Sequence, residues 1–204
     1  ASRSLDSAPT FPDSHRDPMT SIESAVGKIG IRMLQGMVLT LTAFAQPVHE
    51  YHVKAAFLFN FARFVEWPPQ TFKSETTPWH ICILGRDPFG DALSEATAGR
   101  VVLGRPFALI GISDTSHAGD CQILFVSSSE RRHLRSTLAE LSTAGILTVG
   151  ESEGFAAQGG IVNFKVEDGK VRLEINIEAA GQAHLRISSK VLNLAYIVRG
   201  AVNK

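Results

Sequence analysis

The stretch QILFVSSSERRHLRSTLAELSTAGILTV, Gln122–Val149, reads as strand, helix and strand in turn. Gln122–Val126 is a short apolar run with no polar alternation, the pattern of a strand covered on both faces. Ser127-Ser-Ser-Glu130 has the Ser-x-x-Glu spacing of a capping box, and a helix is expected from there to Ser142. Ile146–Val149 is a second continuous apolar strand. Strand–helix–strand with both strands fully apolar implies a parallel pair joined by a crossover helix.

The same alternation extends in both directions. Upstream, Val48–Trp67 is expected to be one long helix ended by Pro68-Pro69, and His80–Leu84 a strand. Asp87-Pro88 reads as the start of a helix reaching about Ala98. Val101–Leu103 and Phe107–Ile110 are strand-like. Downstream, a short helix is expected over Glu151–Gln158. Asp168-Gly169 joins strands Ile161–Val166 and Val171–Ile177 in a hairpin. Ser188–Arg199 reads as a closing helix stopped by Gly200. The expected fold is a three-layer α/β sandwich: a mostly parallel twisted sheet, helices on both faces, and an antiparallel C-terminal hairpin at the edge.

Residues 1–45 are expected to lie outside that domain. Residues 1–27 are polar and Pro-containing with no apolar period. A basic stretch, Lys28 to Arg32, precedes the apolar run Met37–Ala45, and Ala43-Phe44-Ala45 offers small residues for cleavage before Gln46. This is the layout of a cleavable secretory signal peptide. The run is about half the ~20 residues of a spanning helix. A single domain, 46–204, would then be exported into an oxidising compartment.

Hydrophobic residues make up 44% of the chain and charged residues 20%, which argues against a disordered, collagen-like or coiled-coil protein. Twenty basic side chains balance twenty acidic ones. Nucleic-acid binding needs a cationic excess to neutralise phosphates, so no nucleic-acid partner is expected. Two cysteines are too few for a structural zinc site. There is no G-x-G-x-x-G, G-x-x-x-x-G-K-[ST], G-x-S-x-G or H-E-x-x-H motif. His49 and His52 stand one turn apart but read as surface residues. Neither metal, cofactor nor catalytic set is expected.

Three groups of residues nonetheless invite a role. Beyond the carboxyl ends of parallel strands, where α/β proteins bind ligands, lie Arg86, Ser127, Ser128, Ser129, Arg131, Arg132 and Glu151, a candidate crevice for a small molecule or anion. On the first helix, Phe57, Leu58, Phe61, Phe64 and Val65 form the buried arc, which also contains Lys54, a cation that must snorkel or find a partner. Phe59 and Trp67 fall instead among polar residues near Arg63. These three are the candidate dimer or partner contact, unless a loop covers the rings. Cys82 sits early in one strand and Cys121 just before another, and in a flavodoxin-like order those strands would be parallel neighbours, which puts the cysteines within the ~6 Å a disulfide needs. They form either one bridge or a pair of reduced core thiols; export favours the bridge.

Several motifs carry a resemblance when taken in order. They are Lys54–Pro68, Ile83–Gly90, Cys121–Ser127, Ile146–Val149, Gly159–Phe164, Arg172–Asn176 and Leu185–Lys190. Together they resemble the YfiR family of periplasmic proteins, over essentially all of Tyr51–Arg199. The resemblance implies a non-enzymatic repressor that binds the periplasmic sensor region of an inner-membrane diguanylate cyclase, YfiN. It thereby implies restraint of cyclic-di-GMP synthesis, biofilm formation and exopolysaccharide output. It further implies a homodimer and redox-sensitive cysteines. Cys82 and Cys121 match one cysteine pair of the family. Some relatives carry a second pair nearer the C-terminus, and this chain has none.

Overall fold

The computed structural model describes residues 46–199. The expected leader, signal peptide and cleavage point lie outside these residues, apart from Gln46 itself. In chain order the elements are α1 (Gln46–Phe64), β1 (Val65–Glu66), β2 (Trp79–Leu84), α2 (Ala92–Thr97), β3 (Val101–Val102), β4 (Arg105–Ile112) and β5 (Ile123–Val126). There follow α3 (Leu134–Leu141), β6 (Leu147–Gly150), β7 (Val162–Glu167), β8 (Lys170–Asn176), α4 (Ile177–Gln182), β9 (Arg186–Ile187), α5 (Ser189–Leu192) and β10 (Ala195–Val198). The main sheet has the order β10-β8-β7-β6-β5-β2-β4-β3. Strands β4, β2, β5, β6 and β7 run parallel, β7–β8 is the antiparallel hairpin, and β10 pairs parallel with β8.

The continuous apolar strands are explained by two cores. Ile81, Ile83, Ile123, Phe125, Leu147 and Val149 pack with Leu58 and Phe61 of α1 and Leu93 of α2. Their neighbours in sequence, Cys82, Leu84, Leu124 and Val126, pack with Leu134, Leu138 and Leu141 of α3. Alternate residues face opposite sides of a strand, so helices on both faces leave no solvent side. The result is the expected three-layer mixed α/β fold.

Asp168 and Gly169 have φ of 50° and 70°, the doubly positive pair of a type I′ hairpin turn. Cys82 and Cys121 are joined in a disulfide with Cα atoms 5.9 Å apart, and β2 and β5 are indeed parallel neighbours. Both cysteines are buried.

The expected elements are corrected at five places. Ser188–Arg199 is not one helix. Ser188 accepts from the Lys190 amide and caps only the short α5, after which Ala195–Val198 become a strand on the free edge of β8. The hairpin is therefore one strand in from the edge. Helix α4 is additional: Asn176 accepts from the Ala179 amide at 2.9 Å and donates to the Ala156 carbonyl at 2.8 Å. Glu151–Gln158 forms turns rather than a helix. The helix after Asp87 starts only at Ala92, because the Asp87 carboxylate accepts from the Phe89 amide and closes a turn. The capping box is not reciprocal. Ser127 accepts from the Ser129 amide, but the Ser127 N–H goes to the Leu84 carbonyl and Glu130 accepts from the Ser129 hydroxyl. A 3-10 turn, Ser128–His133, therefore precedes α3.

The turns at 151–158 are held by Phe155, which is fully buried between Gly150 and Gly160. A Cβ on either glycine would fall inside the van der Waals surface of that ring. We expect Gly160→Ala to lower stability by about 1–3 kcal/mol through overpacking. Urea denaturation measures this, and an unchanged midpoint would refute it.

Candidate functional site

The carboxyl ends of β2, β5 and β6 open onto two crevices, with Ser128 lining both. The first, about 580 Å³, gathers Arg86, Ser127, Ser128, Ser129 and Arg132, with Glu130 among them. Arg131 is exposed and does not line it, and Glu151 lines the other crevice. The Ser127 and Ser129 hydroxyls are engaged by residues of the crevice itself. Ser129 Oγ accepts from the Arg86 amide at 3.0 Å and donates to Glu130 Oε1 at 3.0 Å. The sequence-expected crevice is thus split, and its larger part is framed by hydrogen bonds among its own residues.

The second crevice, about 660 Å³, lies where α1, the turn after β6 and the β7–β8 hairpin meet. Glu151 follows the last residue of β6, and its side chain is only 8% exposed. Its carboxylate accepts from Lys54 Nζ at 2.7 Å and from the Tyr51 hydroxyl at 3.2 Å. Lys54 also pairs with Glu50 one turn earlier on α1, and its ammonium lies 4.6 Å from the Tyr51 ring centroid. The lysine inside the apolar arc therefore does not snorkel; it finds partners. Burial, with the adjacent Glu151 carboxylate, pushes the Tyr51 phenol far above its ordinary pKa, so the hydroxyl remains a donor.

On the hairpin side of this crevice stand Asn163, Lys165 and Glu174. Asn163 is 3% exposed and sits opposite Glu174 in the β7–β8 register. Its Nδ2 donates to Glu174 Oε2 at 2.9 Å. Lys165 pairs with Glu167 at 2.8 Å and with Glu174 at 3.6 Å. None of Tyr51, Asn163, Lys165 or Glu174 was singled out in the sequence. One signal was present: Asn163 is a polar residue set between Val162 and Phe164 in the strand Ile161–Val166.

The α1 contact residues separate. Phe59 is not exposed as expected. It is 8% exposed and packs on Phe107, with ring centroids 5.2 Å apart, under the Arg100 guanidinium. Trp67 is half-buried against Trp79 at 5.0 Å, and Phe72 of the following loop packs on the same Trp79 at 4.8 Å. Loop 68–78 and β4 thus cover the two rings, because they give more apolar contact than water does. Arg63 alone of the three is exposed. His52 meets Glu95 of α2 at 3.2 Å. Among the described residues no group of three His, Cys, Asp or Glu side chains could hold a metal ion.

These features define an α/β domain stapled across two core strands, with a polar crevice at the strand ends. The chain belongs to the YfiR/HmsC-like family, whose profile matches residues 51–196. No curated protein is significantly similar to it. Among solved structures it is similar to an ABC domain in complex with L-Trp from Streptococcus pneumonia, at 10% identity and TM-score 0.49, covering 71% of this chain and 60% of that one. It is also similar to a conserved domain protein from Vibrio cholerae O1 biovar El Tor, at 13% identity and TM-score 0.44, covering 58% of this chain and 54% of that one.

Proposed function

We propose that the chain is a periplasmic regulator that acts by binding rather than by catalysis. Its partner is an inner-membrane signalling enzyme of the diguanylate cyclase type, whose periplasmic sensor region it holds in the inactive state. Restraint of this kind needs only a higher affinity for the inactive than for the active conformation. The observation that carries the reading is membership of the YfiR/HmsC-like family over residues 51–196. The Cys82–Cys121 disulfide supports it, since such bonds persist in oxidising compartments. In this reading residues 1–45 are removed on export and 46–204 act as a homodimer. The exposed flank of α1 at Arg63 makes the partner or dimer contact.

The test is genetic and biochemical together. Deleting the gene should raise cellular cyclic-di-GMP and exopolysaccharide, and the exported chain, but not a leaderless one, should restore both. An Arg63→Glu variant should fold normally yet lose capture of the cyclase's purified periplasmic domain. Unchanged cyclic-di-GMP in the deletion strain would overturn the function. Unchanged capture by Arg63→Glu would overturn the surface.

A further inference from the structure

We infer that the crevice between α1 and the β7–β8 hairpin is a binding site for a small organic cation bearing ammonium N–H groups. The inference stands apart from partner restraint and does not depend on it. It starts from Asn163, a residue that is 97% buried and lines the crevice. The Nδ2 group must face the Glu174 carboxylate, because turning the amide over would set two acceptors against each other. The Oδ1 atom is thereby left as a buried acceptor with no hydrogen-bond partner. Leaving such an atom without a partner is unfavourable, and a ligand donor would recover the loss.

The surroundings specify the charge of that donor. Glu50, Glu151, Glu153 and Glu174 line the crevice against two ammonium groups, Lys54 and Lys165. Lys54 is already held by Glu50 and Glu151, and Lys165 is shared between Glu167 at 2.8 Å and Glu174 at 3.6 Å. The remaining field is negative, beside an acceptor that lacks a proton to bind. A bare metal ion fits less well, since no three acidic or His side chains converge among the described residues. An ammonium ligand satisfies both observations: it donates to Asn163 Oδ1 and neutralises Glu174. A volume of about 660 Å³ admits an organic amine of several carbons.

Calorimetric titration of the purified, folded full chain with spermidine tests the site. Tetramethylammonium serves as a cation without N–H, and Mg²⁺ as a multivalent inorganic cation. Spermidine should bind, tetramethylammonium should not, and Mg²⁺ should not compete. Asn163→Leu should weaken spermidine binding at least about tenfold, the equivalent of one hydrogen bond to a charged group. A thermal melt checks that the variant folds; if it does not, Glu174→Gln carries the same expectation. No binding of spermidine overturns the inference. So does equal binding by the folded variant, or displacement by Mg²⁺, which would mean diffuse attraction only.

Discussion

Removing the disulfide as Cys82→Ala with Cys121→Ala is expected to lower stability by about 4 kcal/mol. The two cysteines are 39 residues apart, and loop-closure entropy for a ring of that size gives about this value. Alanine avoids placing hydroxyl groups in a core where both positions are buried. With urea slopes of roughly 1–3 kcal/mol/M, the unfolding midpoint should fall by about 2 M. Wild-type protein unfolded with and without reductant should show the same displacement. Coincident oxidised and reduced transitions would refute the assignment of stability to the bond. The fold itself should survive, because β2 and β5 are held by their ladder and by both apolar faces, whether or not the sulfurs are joined.

Lys54→Met is expected to cost about 3 kcal/mol. The side chain is 3% exposed, and its loss leaves Glu151, at 8%, as a buried carboxylate without its cation. Breaking one partner of a buried pair typically costs 3–5 kcal/mol, whereas removing both charges together is often neutral. The lower end applies because Glu50, at 29%, can return to water. Lys54→Met combined with Glu151→Leu should therefore recover part of the loss, and a double-mutant cycle would read the coupling. A Lys54→Met protein within 0.5 kcal/mol of the parent would show that the ion pair is not a structural element.

How far the sequence was legible follows from how local each determinant is. The strands of the central sheet were plain as unbroken apolar runs, and Asp168-Gly169 specified the hairpin turn by residue type alone. The cysteine pairing followed once β2 and β5 were taken as neighbours. The C-terminal segment was misread because Ser188 is a true helix cap, but Ala195–Val198 also carries β-branched and aromatic residues. The free edge of β8 decides between the two states, and it lies about twenty residues back in the chain. Lys54 was recognised as needing a partner, but Glu151 is 97 residues away and only the fold brings it there. Phe59 was misplaced for the same reason: its cover, Phe107, belongs to β4. Asn163 looked like one more residue of a strand, and its chemistry appears only when Glu174 is set opposite it.

The disulfide has one more consequence, for damage rather than for folding. Between its two cysteines the chain forms α2 and β3 and turns at Leu103-Gly104 into β4. Leu103 is 82% exposed with φ of 51°, at the tip of that turn, the kind of place where a protease first cuts. A single cut there opens a covalent ring instead of severing the molecule. Both pieces remain tied at Cys82 and Cys121, with β2 and β5 still paired between them. A nicked copy in a compartment rich in proteases would keep its central sheet, and would fall into two fragments only when unfolded and reduced.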